Sequence, residues 1–152
     1  MNLLSICDKI NKLRISDESE DFELCIFFDE IGESISNLNV SSKSEKSTII
    51  KTLFSFLKNQ DPEMDEDFSF IHLIESIDKP TSLIYNDELL KFSNEYGTLT
   101  SVLLLLRQLN SSSLNNKEIY IKTLKDISNK KEFKGVVRET ALEYYNIHNI
   151  NK

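Results

Sequence analysis

The chain is poor in the residues that make tight turns, with three glycines and two prolines among its 152 residues. An all-β fold places a turn after every short strand, and those turns depend on glycine and proline. The sequence also lacks a segment in which apolar and polar residues alternate for long enough to predict a half-buried strand. These absences favour a helical fold.

Cysteine is also scarce, because the chain has only Cys7 and Cys25. Two cysteines are too few for a disulfide framework or a cysteine-based metal cluster. Both stand among apolar residues, where cysteine behaves as a small hydrophobic side chain. The first seven residues carry no basic side chain and are followed at once by Asp8 and Lys9, which does not match a secretory signal peptide. We therefore expect the chain to work in a reducing cytoplasm.

The sequence has no apolar run of the ~20 residues that a membrane-spanning helix needs. Its most apolar stretch, residues 98–110, is shorter and predicts a central helix that is buried on all sides. Thr98 or Thr100 is expected to cap the start of this helix, and Asn110 to end it. Arg107 is its one charged residue, and a charge on a buried helix needs a partner.

Basic residues are few in the first half of the chain. Residues 1–78 contain 7 Lys or Arg against 17 Asp or Glu, a net charge of −10, whereas residues 79–152 contain 11 against 8, a net charge of +3. A strongly negative half repels phosphate groups, which disfavours a nucleic-acid partner. The same charge favours a basic protein partner.

Apolar residues at helical spacing predict eight short helices, at residues 2–13, 17–38, 45–58, 68–77, 83–96, 98–110, 115–128 and 135–148. Short loops between helices indicate antiparallel pairs that stack on one another. The fourth, sixth and eighth helices begin at intervals close to those of HEAT repeats. The prediction is therefore an all-α fold in one domain, residues 1–152, built as a HEAT-like irregular α-α superhelix; a compact helical bundle is the alternative.

The acidic segment 61–67 superficially suggests a calcium loop. An EF-hand loop that starts at Asp61 needs glycine at its sixth position and glutamate at its twelfth, where this chain has Glu66 and His72. No metal is therefore expected. Two interpretations remain, a solvated acidic turn that caps the fourth helix and a docking patch for a basic protein.

His72 and Glu75 lie three residues apart on one face of the fourth helix and could serve as an acid–base pair. No nucleophile motif, phosphate-binding loop or metal-ligand spacing accompanies them. We therefore expect no enzyme activity and no cofactor. The favoured interpretation is a structural polar network of His72, Glu75, Asp78 and Arg107, in which Arg107 finds its carboxylate partner.

Residues 67–78, with the core Ile-His-Leu-Ile-Glu-Ser, resemble the helical immunity proteins of bacterial polymorphic-toxin and contact-dependent growth inhibition (CDI) systems. The break at Gly97-Thr98, the Leu-rich helix with Arg107 and the late Val-Arg-x-x-Ala-Leu segment at 137–142 fit the same pattern. The resemblance implies a small cytoplasmic antidote that binds a cognate toxin domain and blocks its active site. Toxins of such systems are often nucleases, which need basic surfaces.

The first functional hypothesis is thus an immunity protein that occludes a basic toxin domain, with no nucleic-acid or membrane partner. The residues expected to bind the partner are acidic and belong either to the second helix or to the segment before the fourth helix. They are Asp29, Glu30, Glu33, Asp61, Glu63, Asp65, Glu66 and Asp67. The second hypothesis is a helical-repeat adaptor or scaffold that recognises a basic protein or peptide. The third is an enzyme that uses His72 and Glu75. The sequence does not indicate the oligomeric state.

Overall fold

The computed structural model describes residues 2–15, 21–60, 67–111 and 116–150. Within those ranges the chain forms eight α-helices and no β-strand, which confirms the predicted all-α fold. The helices are α1 (Leu3–Lys12), α2 (Asp21–Leu38), α3 (Lys43–Lys58), α4 (Phe68–Ser76), α5 (Leu83–Glu95), α6 (Leu99–Leu109), α7 (Lys117–Ser128) and α8 (Gly135–Ile150). None of the helices in these ranges has the length and hydropathy needed to cross a bilayer.

Side-chain caps explain where several helices begin. The Asn2 side chain accepts a hydrogen bond from the Ser5 N–H, and Ser42 accepts one from the Glu45 N–H. At α6 the Thr98 hydroxyl accepts from the Ser101 N–H at 3.0 Å, and the Ser101 hydroxyl accepts from the Thr98 N–H at 3.3 Å. This reciprocal pair is a capping box and satisfies two backbone donors that the helix leaves unpaired. Thr98, and not Thr100, is therefore the N-cap.

The first compact unit comprises residues 1–88. Its core contains an aromatic cluster in which the Phe28 ring centroid lies 5.3 Å from that of Phe56 and 5.1 Å from that of Phe70. Both pairs pack edge to face, a favourable arrangement for aromatic rings. Phe28 belongs to α2 and Phe70 to α4, so this cluster joins the two helices. It thereby fixes the side of each helix that remains open to solvent.

The second compact unit comprises residues 89–152 and contains α6, α7 and α8, which pack against one another. Gly97 lies directly before α6 and contacts the ring of Phe133. A Cβ atom added at Gly97 would lie 2.3 Å from Phe133 Cδ2, well inside the closest approach of two carbon atoms. Lys130 stacks its ammonium over the same ring, 5.2 Å from the centroid. Gly97 does not adopt a positive φ, so close packing is the reason for glycine here.

Two predictions about the core are wrong. The α6 helix is not buried on all sides: Val102, Leu104 and Leu105 are fully buried, whereas Leu103 and Leu106 are partly exposed. The helical spacing of residues 115–128 also predicts that Ile119 points inward with Tyr120 and Leu124, but Ile119 is exposed. Each error follows from the assumption that every apolar side chain of a helix packs against a neighbouring helix. The superhelix, its compact alternative and the single domain stay predictions.

Candidate protein-docking face on α2 and α4

The outer surface of α2 carries three exposed carboxylates, those of Asp29, Glu30 and Glu33, which we call the α2 acidic face. Together with Ile26 they occupy positions i, i+3, i+4 and i+7, which share one face of a helix. Ile26 is itself 50% exposed. The opposite surface of α2 is buried in the core and consists of Leu24, Phe28, Ile31 and Ile35. Burial of this apolar stripe forces the carboxylates outward.

Within the described ranges, the α2 acidic face is not neutralised by basic side chains of this protein. Among the residues that the structure describes, no lysine or arginine forms an ion pair with Asp29, Glu30 or Glu33. The ion pairs that do occur use other acids, as in Lys12 with Asp8 and Lys122 with Asp126. Three like charges on neighbouring turns repel one another, because nothing of opposite sign lies between them. A cation supplied by a partner would relieve this repulsion.

A part-buried polar contact links α2 and α4. The Cys25 Sγ and Ser69 Oγ atoms lie 2.9 Å apart, and either can donate the hydrogen bond. Cys25 Sγ also lies 3.8 Å from Asp29 Oδ2, so the contact adjoins the α2 acidic face. The two helices run in the same direction here. Cys25 contacts Ser69, and Gly32, about two turns after Cys25, lies against Leu73, about one turn after Ser69.

Two exposed apolar side chains flank this contact. Ile26 follows Cys25 on α2, and Phe68 precedes Ser69 on α4, where it is 53% exposed. The ring centroid of Phe68 lies 6.0 Å from that of the exposed His72. We call Ile26 and Phe68 the seam pair. Carboxylates and apolar groups therefore meet at one place on the first unit.

Asp67 has a role within the chain, at the start of α4, and its predicted role in binding a partner stays a prediction. Its carboxylate accepts a hydrogen bond from the Phe70 N–H at 2.9 Å and caps the start of α4. The residue is only 9% exposed, because the capping geometry turns it toward the helix. An oxygen that pairs with the backbone is poorly placed to bind a partner. The predictions for Asp61, Glu63, Asp65 and Glu66 fall outside the described residues.

Asp78 supports the start of α5. Its carboxylate accepts hydrogen bonds from the Ile84 N–H at 2.6 Å and the Tyr85 N–H at 3.2 Å. Lys46 Nζ lies 4.0 Å from the other carboxylate oxygen. Asp78 is 3% exposed, and its partners are two backbone amides and a lysine. Its membership of the predicted polar network stays a prediction.

The other members of the predicted polar network differ in their exposure. His72 is exposed and, among the described residues, forms no hydrogen bond or ion pair, so its assignment to the network is wrong. Glu75 and Arg107 are both half-buried. Glu75 belongs to the first unit and Arg107 to the second, and their pairing stays a prediction.

The side chains of this face are carboxylates and apolar groups. In the described portion of the chain, no three side chains of His, Cys, Asp or Glu are grouped in a way that could hold a metal ion. Both cysteines are free thiols, with Cys7 buried and Cys25 half-buried. Carboxylates beside apolar groups match the composition of a protein interface, in which an apolar centre is surrounded by polar contacts.

The sequence did not single out the seam pair. A signal for Ile26 exists, because it shares its helical face with three carboxylates and so is predicted to be exposed with them. Phe68 carries no such signal. It shares a face with Ile71, which is fully buried, and only the packing of α4 shows that this face is half covered.

Comparisons of the chain with protein-family models, with curated proteins and with solved structures give no match. The assignment of a function therefore depends on the geometry of this chain.

Proposed function

We propose that this chain is an immunity protein, a non-enzymatic inhibitor that binds a basic bacterial toxin domain in the cytoplasm and occludes its active site. The observation that carries the proposal is the α2 acidic face, Asp29, Glu30 and Glu33. It is exposed on one side of a helix and forms no ion pair with a lysine or arginine of the described chain. Carboxylates exposed on one side of a helix provide the negative charge needed to bind a cationic surface.

The proposed mechanism is electrostatic competition. A nuclease toxin binds the phosphates of its substrate with lysine and arginine side chains. Carboxylates held at the spacing of successive helical turns pair with those cations and exclude the nucleic acid. The same charges steer the two proteins together, which raises the association rate and makes it dependent on salt. The expected partner is therefore a basic domain, and a nuclease fits best.

The test is protection of cells from a toxin. An immunity gene is expected just downstream of its toxin gene, so the first candidate is the toxin domain encoded there. Co-expression with this chain should restore growth, and the purified proteins should form a complex in which the toxin is inactive. Binding of a basic protein without any protection from toxicity would favour the adaptor hypothesis.

Charge reversal tests the site. The variant Asp29→Lys, Glu30→Lys, Glu33→Lys should reduce the association rate about 100-fold at low salt, because electrostatic steering is worth about 10- to 1,000-fold. Its matched control is Glu118→Lys, Glu132→Lys, Glu139→Lys, which changes the net charge equally through three exposed acids of the second unit. Equal effects of the two variants would show that net charge alone acts and would reject the α2 acidic face. A separate variant, in which the acidic residues of 61–66 are neutralised, tests the predicted role of that segment in binding the partner.

A further inference from the structure

The seam pair lies where two helices of the first unit meet. Ile26 and Phe68 are sequence neighbours of Cys25 and Ser69, whose side-chain atoms are 2.9 Å apart. Both apolar side chains are about half exposed, at 50% and 53%. Single exposed apolar residues are common on protein surfaces and need no explanation. Two on adjoining helices, next to carboxylates that form no ion pair within the described ranges, form a composite surface.

The charges beside the seam pair restrict what can cover it. A second copy of this chain that used the same face would bring Asp29, Glu30 and Glu33 against their own copies, and like charges across an interface are unfavourable. Nucleic acids and anionic membranes carry the same sign of charge as the face and are excluded for the same reason. A protein surface with lysines or arginines around an apolar recess complements the face in both charge and hydrophobicity.

We propose that Phe68, supported by Ile26, is the apolar anchor of this interface and seats in an apolar recess of a basic protein partner. The inference rests on the proposed function for the class of partner and extends it by naming the residues that hold the complex together. The aromatic ring supplies a large contact area at low conformational cost. The α2 acidic face pairs with cations at the border of the recess, as the polar rim of an interface does.

The two groups of residues should therefore control different rate constants. Charges at the border of an interface act mainly on association, because they steer diffusion. A buried anchor acts mainly on dissociation, because its contacts form only after docking. Loss of Phe68 should leave the salt dependence of association unchanged and shorten the lifetime of the complex.

The experiment measures binding of the full chain to two synthetic peptides of equal length and equal positive charge. One is an amphipathic helix of lysine and leucine, and the other contains lysine and serine. We expect tighter binding of the lysine–leucine peptide. Phe68→Ser should weaken that binding about 30-fold, the effect of losing an interface hot spot. The matched control, Leu83→Ser, removes another apolar side chain that is 72% exposed and should change affinity less than 2-fold.

Several results would overturn the inference. These are equal binding of the two peptides, unchanged affinity in Phe68→Ser, or an equal loss in Leu83→Ser. If thermal unfolding shows that Phe68→Ser does not fold, Ile26→Ser replaces it, with a smaller loss expected in the same direction. The charge-reversal variant and Phe68→Ser are then compared against the toxin domain.

Failure of the anchor and failure of the proposed function give different results. If the chain protects cells and Phe68→Ser protects equally well, with an unchanged dissociation rate, the anchor is wrong and the immunity function stands. If the lysine–leucine peptide binds in a Phe68-dependent manner but the chain neutralises no toxin, the anchor stands and the immunity function is wrong.

Discussion

Replacing Asp78 with alanine removes the acceptor of two backbone N–H groups at the start of α5. The Ile84 N–H donates to Asp78 Oδ2 at 2.6 Å and the Tyr85 N–H at 3.2 Å, in a place where the carboxylate is 3% exposed. Leaving a buried donor unpaired costs about 1–3 kcal/mol. The ion pair with Lys46, at 4.0 Å, adds no more than about 1 kcal/mol. We expect Asp78→Ala to lower the free energy of unfolding by about 3 kcal/mol.

Amide hydrogen exchange measures this effect at the two amides themselves. A loss of 3 kcal/mol raises the opening equilibrium of the Ile84 and Tyr85 amides about 100-fold, since every 1.4 kcal/mol is a factor of ten. Asp78→Asn retains one acceptor oxygen and should cost about 1 kcal/mol, close to the net value of one hydrogen bond. Urea unfolding, followed by circular dichroism, provides the global free energy for comparison.

The matched control is Asp126→Ala. Asp126 also pairs with a lysine, Lys122, at 2.9 Å, but the Lys122 side chain is 75% exposed and that of Asp126 is 41% exposed. Such pairs contribute about 0–1 kcal/mol. If Asp78→Ala and Asp126→Ala have equally small effects, or if exchange at Ile84 and Tyr85 does not change, then Asp78 does not cap α5 and the reasoning is refuted.

Two glycines give opposite predictions about stability. Gly97→Ala should destabilise the second unit by about 1–3 kcal/mol, because its Cβ would lie 2.3 Å from the Phe133 ring. Adding Phe133→Ala should recover part of this loss, as measured by urea unfolding. A Gly97→Ala variant with unchanged stability would contradict the contact. Gly32→Ala should raise the melting temperature, because its Cβ would lie 3.6 Å from Leu73 Cδ1, an ordinary contact distance, and alanine favours a helix interior by up to ~1 kcal/mol. A lower melting temperature would show that α2 and α4 pack too closely there for a methyl group.

Periodicity predicted the helices well because each one is short, amphipathic and bounded by polar residues or glycine. The predicted α4 differs from the observed helix by one residue at its end, and α5 likewise. The capping role of Thr98 was also predictable, because a capping hydroxyl and its amide are close in sequence. Contacts of this kind join residues that are close in sequence, so they can be predicted without knowledge of the tertiary packing.

The roles of single acidic residues were harder to predict. A charge count treats every carboxylate as solvated, yet Asp67 and Asp78 are both buried. Asp67 stands directly before its helix and could have been recognised as an N-cap. Asp78 bonds amides six and seven residues away, and no local pattern gives that distance, because the turn between them decides it. The exposure of Phe68 depends in the same way on how much of α4 its neighbours cover.

The division of α2 into two sides has a consequence for how such a protein can change. Substitutions on its inner side are constrained, because Phe28 packs against the rings of Phe56 and Phe70 in the aromatic cluster. Its outer side bears carboxylates that form no ion pair with the described chain, and surface substitutions of that kind shift stability by about 0.5 kcal/mol or less. Substitutions can therefore accumulate on the outer side one residue at a time while the scaffold stays the same, and the proposed specificity for a partner can change with them.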